Sequence, residues 1–254
     1  MTIIFANQKG GVGKTTTTLN ISAYMAALGK KVLLVDLDPQ ANATSALSGR
    51  IQRMDDTPTT YEVIIGAIPA RDAIKKTNIS NLFLMPSSPN LAAAAVELAN
   101  TRYRETYLDR ALLPITREYD FIFIDAPPGL GILTINGFLA AHHVIIPVQC
   151  DYYALEGMTE LVRTIQKLNM RTRKKIGVMG VVLTMFDRTS KLSRAILEEV
   201  RGNAVDYVFK TVIPRNTKLA EAPSFGKTIL EYDPYSHGAK AYCQLTEEII
   251  GLVG

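Results

Sequence analysis

One stretch near the start constrains this chain more than any other. Gln8-Lys9-Gly10-Gly11-Val12-Gly13-Lys14-Thr15-Thr16 follows a short apolar run, Ile3-Ile-Phe-Ala6, and leads into an amphipathic stretch from Thr16 to Leu28. A strand, a glycine-rich turn and a helix in that order let backbone N–H groups turn inward and cradle phosphate oxygens. The new helix points its positive dipole end at the same anion. On this reading Gly10, Gly11, Val12 and Gly13 form the cradle and Thr16 lies in the first helical turn. Lys14 reaches the terminal phosphates, and the Thr15 hydroxyl is placed for Mg²⁺. The usual spacing of such a loop would put Gly at position 8. This chain has Gln8 there, and a second lysine, Lys9, opens the loop. That is the deviant form of the Walker A pattern.

The rest of the chain alternates between two kinds of segment. Strand-like runs are read at Lys31–Asp36, Leu82–Met85, Phe121–Asp125, Val144–Val148, Gly177–Thr184 and Tyr207–Ile213. Helical patterns fall at Leu155–Leu168, Leu192–Val200 and Ala239–Leu252, and Gly29 is a natural stop for the first helix. Continuous Val/Ile/Leu runs suit strands buried on both faces. The predicted fold is therefore α/β: a doubly wound, mostly parallel sheet with helices on both faces. No linker rich in Pro, Gly or Ser interrupts it, so residues 1–254 read as a single domain. Residues 40–80 lack clear periodicity. In such sheets ligands sit at the carboxyl ends of the strands, which here carry Asn7-Gln8, Asp36, Asp125 and Gln149.

Two of those ends are acidic. Phe121-Ile-Phe-Ile-Asp125 is a Walker B pattern, whose carboxylate holds Mg²⁺ directly or through water. A buried carboxylate without a cation is costly, so a metal partner is a physical expectation. The alternative for Asp125 is a helix cap. Val35-Asp36-Leu37-Asp38-Pro39-Gln40 ends the second strand. Asp38 is the candidate to orient the attacking water and Asp36 to stand near Mg²⁺, although Asp-Pro-Gln is also good turn chemistry.

Composition removes several function classes. No run reaches the roughly 18 apolar residues of a membrane span, and the N-terminus has no basic region of the kind a signal peptide carries. Cys150 and Cys243 form no CxxC pair, which suits a reducing cytosol and offers no metal site. The three histidines lack ligand spacing. Net charge is only +4, but residues 163–227 hold fourteen Lys/Arg against five Asp/Glu. Such a surplus suits a polyanion such as nucleic acid, or simply a solvated surface.

Taken in order, Lys9-Gly-Gly-Val-Gly-Lys-Thr-Thr16, Val35-Asp-Leu-Asp-Pro-Gln-Ala-Asn42 and Ile124-Asp-Ala-Pro-Pro128 resemble the ParA/MinD group of P-loop ATPases. Pro147-Val-Gln-Cys-Asp-Tyr-Tyr-Ala-Leu-Glu-Gly157, Leu183-Thr-Met185, Thr211-Val-Ile-Pro-Arg-Asn216 and Leu219–Lys227 are similar to the short ParA/Soj partition proteins, and the likeness runs from Ile3 to about Ile250. The resemblance implies an ATPase, slow alone, that uses ATP and Mg²⁺. It implies an ATP-dependent homodimer in which Lys9 reaches the partner's phosphates. That dimer binds double-stranded DNA without sequence preference, and a ParB-type centromere-binding protein stimulates hydrolysis and release. It places Met185, Pro214 and Arg215 around the adenine. Lys218 falls where relatives carry a DNA-binding cation. Arg188, Lys191 and Arg194 are further candidates, with Arg188 offset by one from the relatives' arginine. The implied location is cytoplasmic and nucleoid-associated.

The nearest rival is a MinD-like positioning ATPase on a membrane. It needs a basic amphipathic C-terminal helix, whereas Leu245–Gly254 is acidic. An iron–sulfur reductase would need bridging cysteines. An ATP-dependent synthetase would need further catalytic groups, and no such cluster is visible. The chain opens on its first strand, so an additional DNA-reading domain is not expected.

Overall fold

The computed structural model describes residues 1–48, 57–151, 154–172, 174–203 and 207–253. In chain order the elements begin with β1 (Thr2–Phe5), α1 (Lys14–Ala27), β2 (Val32–Asp36) and α2 (Asn42–Ser48). Next come α3 (Thr60–Ile64), α4 (Ala70–Ala73), β3 (Lys75–Lys76), β4 (Leu82–Met85), α5 (Leu91–Glu97) and α6 (Tyr107–Leu112). The central part holds β5 (Phe121–Asp125), α7 (Ile132–Ala140), β6 (His143–Gln149), α8 (Ala154–Arg171) and β7 (Gly177–Thr184). The chain finishes with α9 (Lys191–Asn203), α10 (Thr217–Glu221), α11 (Ile229–Tyr232) and α12 (His237–Val253).

The strands form one seven-stranded sheet in the order β3-β4-β2-β5-β1-β6-β7. All neighbours are parallel except the β3–β4 pair at one edge. Alternate residues of each strand enter opposite cores. Ile4, Leu33, Val35, Ile122, Ile124, Val144 and Ile146 pack on one face with α7 and α8. Ile3, Phe5, Val32, Leu34, Phe121 and Phe123 pack on the other with α1 and α12. Burial on both faces is the reason these strands read as unbroken apolar runs. This is the α/β sheet expected from the sequence, with helices on both sides.

Helix α1 is enclosed well beyond one stripe. Thr17, Thr18, Asn20 and Ser22 are buried along with Leu19, Ile21 and Met25. Their polar atoms are satisfied locally: Thr18 Oγ1 donates to Lys14 O at 2.9 Å and Ser22 Oγ to Thr18 O at 2.6 Å. Asn20 Oδ1 accepts the Ile229 amide at 2.8 Å. The Thr17 and Tyr242 hydroxyls share a hydrogen bond of 3.1 Å, tying α12 to the start of α1. A run of four threonines is poor helix material on propensity alone. Tertiary packing holds it.

The stretch Tyr207–Ile213, read as a strand, is not a regular one. It follows β7, with the Val181 amide on Tyr207 O at 2.8 Å and the Ile213 amide on Leu183 O at 2.8 Å. Between those points the amides of Lys210 and Thr211 turn away and donate to the Glu248 carboxylate of α12, at 2.7 and 3.1 Å. A side chain on another element takes the bonds that a ladder would have used. His142 ties the start of β1 to the chain before β6: its Nδ1 accepts the Thr2 amide at 3.0 Å.

Tyr242→Phe leaves the buried Thr17 hydroxyl without this partner. The variant is expected to lose about 1 kcal/mol of stability, as for one buried hydrogen bond, read from the midpoint of urea unfolding.

Candidate functional site

The loop between β1 and α1 owes its shape to two glycines. Gly11 and Gly13 have φ of 75° and 83°, a left-handed conformation that residues with a Cβ adopt only with strain. Gly13 also caps the N-terminus of α1. The neighbouring strands hold the loop. Thr184 Oγ1, at the end of β7, donates to Val12 O at 2.8 Å, and the Gly129 amide donates to Gln8 O at 3.0 Å. Lys14 is almost fully buried, and its Nζ donates to Lys9 O at 3.1 Å. Burial lowers the Lys14 pKa, while the charges of Asp125 and Asp38 oppose that shift.

The sheet sets the carboxylates beside the loop. Phe5, Asp125 and Asp36 are in register on β1, β5 and β2, so both acids lie at the carboxyl end of the central strands. Asp125 has no exposed surface. Thr18 Oγ1 donates to its Oδ1 at 3.2 Å, and the Thr15 hydroxyl lies near enough to favour the charged carboxylate. Its Oδ2 is buried and has no partner among the described residues. Burial holds the Asp125 pKa well above the ordinary carboxylate range; Asp36 nearby adds to the rise, and the two threonine hydroxyls oppose it. An orphaned anionic oxygen beside a hydroxyl at the start of α1, where the loop ends, fits a hard divalent cation.

Asp36 is arranged differently. Its carboxylate takes the Thr44 amide at 2.8 Å, the Thr44 hydroxyl at 2.7 Å and the Asp38 amide at 3.2 Å. Burial raises its pKa too, and these bonds partly offset the rise. These donors make Asp36 the anchor of the turn that follows β2, in agreement with the turn chemistry of Asp-Pro-Gln. Asp38 accepts the Gln40 amide at 2.9 Å and is nearly buried at the cavity wall.

Two hollows meet at the loop. One of about 570 Å³ is lined by Lys14, Thr15, Asp38, Pro128 and Met185 among others. The other, of about 330 Å³, is lined by Thr184, Met185, Pro214, Arg215 and Tyr242. They share Gly13, Thr16 and Met185. Their sizes and linings suit phosphates in the first and a flat apolar base in the second. Phe186 and Pro214 form a bridge, which sets the turn after β7 next to the Pro214-Arg215 segment. Lys9 faces elsewhere. It pairs with Asp151 of the same chain and lines a separate hollow of about 340 Å³ with Asn7, Gln8 and Gln149.

The cations expected to meet DNA come from neighbouring segments. Arg188 lies in the turn after β7, and Lys191 and Arg194 lie in the first part of α9. Lys218, in α10, pairs with Glu221 at 3.0 Å and stands over the Tyr232 ring. Sequence reading missed Thr18, Thr44 and Asp151. Thr18 was hidden in a threonine run, and Thr44 in a region without periodicity. Tyr152 and Tyr153, part of the motif after β6, lie outside the described residues.

A family model described as an AAA domain matches residues 1–178. The sporulation initiation inhibitor protein Soj of Bacillus subtilis is 47% identical over 247 residues, covering 97% of each chain. The chromosome-partitioning ATPase Soj of Treponema pallidum is 44% identical, covering 100% of this chain and 98% of its own. The chain belongs to the Soj/ParA family of chromosome-partitioning ATPases. Solved structures agree on the fold. The cobyrinic acid a,c-diamide synthase of Mycobacterium smegmatis with bound ADP and magnesium is 34% identical, with a TM-score of 0.84 over 98% of this chain and 93% of that one. The septum site-determining protein MinD of Pyrococcus horikoshii, complexed with Mg-ADP, is 26% identical, with a TM-score of 0.80 over 100% and 98%. The Soj/ParA motifs identified in the sequence thus meet at one end of one sheet.

A carboxylate whose folded pKa is raised favours folding below its unfolded pKa and loses that contribution as pH rises through the folded value. Without nucleotide and metal, this Soj/ParA chain should therefore be gained on by Asp125→Asn as pH climbs above the ordinary carboxylate range of about 4. Thermal unfolding at acid and alkaline pH checks it: the variant's melting temperature should exceed that of the parent at alkaline pH and converge with it in acid.

Proposed function

We propose that this chain is a partition ATPase whose nucleotide state sets both its self-association and its hold on DNA. The observation that carries this reading is the split between the two lysines of the loop. Lys14 lines the nucleotide hollow, whereas Lys9 opens into a hollow of its own on the other side of the loop. A lysine so placed serves a second molecule better than its own phosphates.

In this reading the loop amides and Lys14 hold the phosphates of ATP, and Met185, Pro214 and Arg215 enclose the base. Mg²⁺, held by the Thr15 hydroxyl and the free oxygen of Asp125, would neutralise phosphate charge. Asp38 orients the attacking water, and Asp36 keeps the Asp38 turn in place. Lys9 of each protomer adds positive charge at the other's phosphates, as an arginine finger does. Residues 1–254 act as one domain. Lys218, Arg188, Lys191 and Arg194 contact DNA phosphates without reading sequence. A dimer doubles this weak surface, so affinity rises by orders of magnitude without new contacts. A ParB-type partner stimulates hydrolysis, and the protein stays in the cytoplasm on the nucleoid.

A membrane role is less well supported. Among the described residues no helix is long and apolar enough to cross a membrane. Lys240 is the single Lys or Arg in α12, whose later half carries Glu247 and Glu248. Glu248 is already engaged with the backbone at Lys210 and Thr211. A synthase reading, prompted by the Mycobacterium smegmatis protein, requires a second organic substrate.

Binding to nonspecific duplex DNA with ATP, with ADP and without nucleotide tests the proposal, with Asp38→Ala used to prevent turnover. Binding that needs ATP and falls steeply with salt is expected. Equal binding in all three states would refute the nucleotide switch. Lys218→Glu should weaken that binding at unchanged self-association. It should also lower the log–log salt slope by about 2, one phosphate contact from each protomer; an unaltered slope would remove Lys218 from the DNA surface.

A further inference from the structure

The turn that carries Asp38 is gripped at both ends of that residue. The Asp38 amide donates to Asp36 Oδ1 at 3.2 Å, and Asp38 O accepts the Ala41 amide at 2.9 Å and the Ser87 hydroxyl at 2.7 Å. Ser87 is itself held in place. It lies two residues past Met85, whose pairing with Val35 brings the end of β4 beside the end of β2. The Thr60 amide of α3 donates to Pro86 O at 2.7 Å and fixes the residue before it. The Ser87 amide donates to Thr44 Oγ1 at 2.8 Å, and that hydroxyl donates to Asp36 Oδ2 at 2.7 Å. Both Ser87 and Thr44 are buried. The bonds close a ring from Asp36 through Thr44, Ser87 and Asp38 back to Asp36. The turn needs this grip, because Ala41 has φ of 51°, left-handed and strained for a residue with a Cβ. Such strain persists only where the surroundings over-determine the backbone.

We propose that Ser87, with Thr44 behind it, is a positioning residue for ATP hydrolysis: its hydroxyl holds the Asp38 backbone so that the carboxylate faces the nucleotide hollow. The inference rests on the reading above that Asp38 orients the attacking water. The Asp38 carboxylate is braced from within the same turn, by the Gln40 amide on Oδ1 at 2.9 Å. Its aim therefore follows the backbone of the turn, and the backbone follows Ser87. Asp38 lines the larger hollow at the loop, whereas Ser87 lines neither of the two. Ser87 thus acts on Asp38 and not on the nucleotide. Losing its hydroxyl leaves Asp38 O with the Ala41 amide, so the turn survives but is free to relax its strain. A carboxylate that drifts by a fraction of its reach still leaves ATP bound, yet no longer meets the water in line.

Single-turnover ATP hydrolysis, measured beside the affinity for a fluorescent nonhydrolysable ATP analogue, tests the positioning role. Ser87→Ala should slow hydrolysis about ten- to a hundred-fold, the scale of a displacement near 1 Å at a reacting group, with analogue affinity unchanged. Thr44→Val should act in the same direction, and Thr44→Ser, which keeps the hydroxyl, should hydrolyse ATP like the parent. In an Asp38→Ala background the Ser87→Ala change should have no further effect on the residual rate, because the two residues form one thermodynamic cycle. A merely structural role for Ser87 would weaken analogue binding along with the rate and slow both backgrounds alike. Either result would overturn the proposal, as would parental hydrolysis by Ser87→Ala. The reading it rests on fails separately: Asp38→Ala alone hydrolysing ATP like the parent would take the water-orienting role from Asp38.

Discussion

Asp125 ends the central strand β5 with no exposed surface and with one carboxylate oxygen that no described residue satisfies. A buried anion in that state costs folding energy unless a cation joins it. Much of the nearby architecture answers that constraint. The register of β1, β5 and β2 brings the loop and the second acid, Asp36, alongside. Thr15 and Thr18 of α1 supply hydroxyls, and Lys14 supplies a positive charge that acts on Asp125. The site is therefore built slightly unstable in its empty form, and binding relieves it. A protein meant to change state with its ligand gains from such an arrangement, since ligand free energy is returned as stability.

Helix α1 carries the loop, and α12 carries α1. Tyr242 reaches Thr17, and Tyr24 Oη donates to Ala239 O at 2.9 Å. Tyr242 also lines the hollow suited to a base. The same side chain thus touches the helix that follows the glycine-rich loop and the wall of the hollow proposed to take the base. Positional precision at the loop depends on a helix nearly at the far end of the sequence.

Much of this was legible in the sequence. The central strands are buried on both faces, so their Val/Ile/Leu runs announced themselves, and the acids after them marked the sheet's carboxyl end. Helices α8, α9 and α12 carry long amphipathic patterns and were found. Other parts were not legible for identifiable reasons. Helix α7 is apolar nearly all round because it lies against the sheet, so it shows little contrast. Helices α2, α3 and α4 are too short to show a period, and β3 is a two-residue edge. Tyr207–Ile213 has strand composition but gives its central amides to Glu248. The loop lysines were legible as residue types. Their separation into two hollows, and the Asp151 partner of Lys9, depend on contacts between residues more than a hundred positions apart, which no local pattern encodes.

The Glu248 clamp has a practical corollary. This carboxylate of α12 also accepts the Tyr207 hydroxyl at 2.5 Å, so it grips three donors of the segment that continues to Ile213, Pro214 and Arg215. The later part of α12 is in effect a strut under the wall proposed to take the base. Fluorescent reporters joined beyond Val253 leave the strut intact. Reporters joined after trimming into α12 remove it, and a change in nucleotide handling in such a fusion would report on the surgery rather than on the reporter.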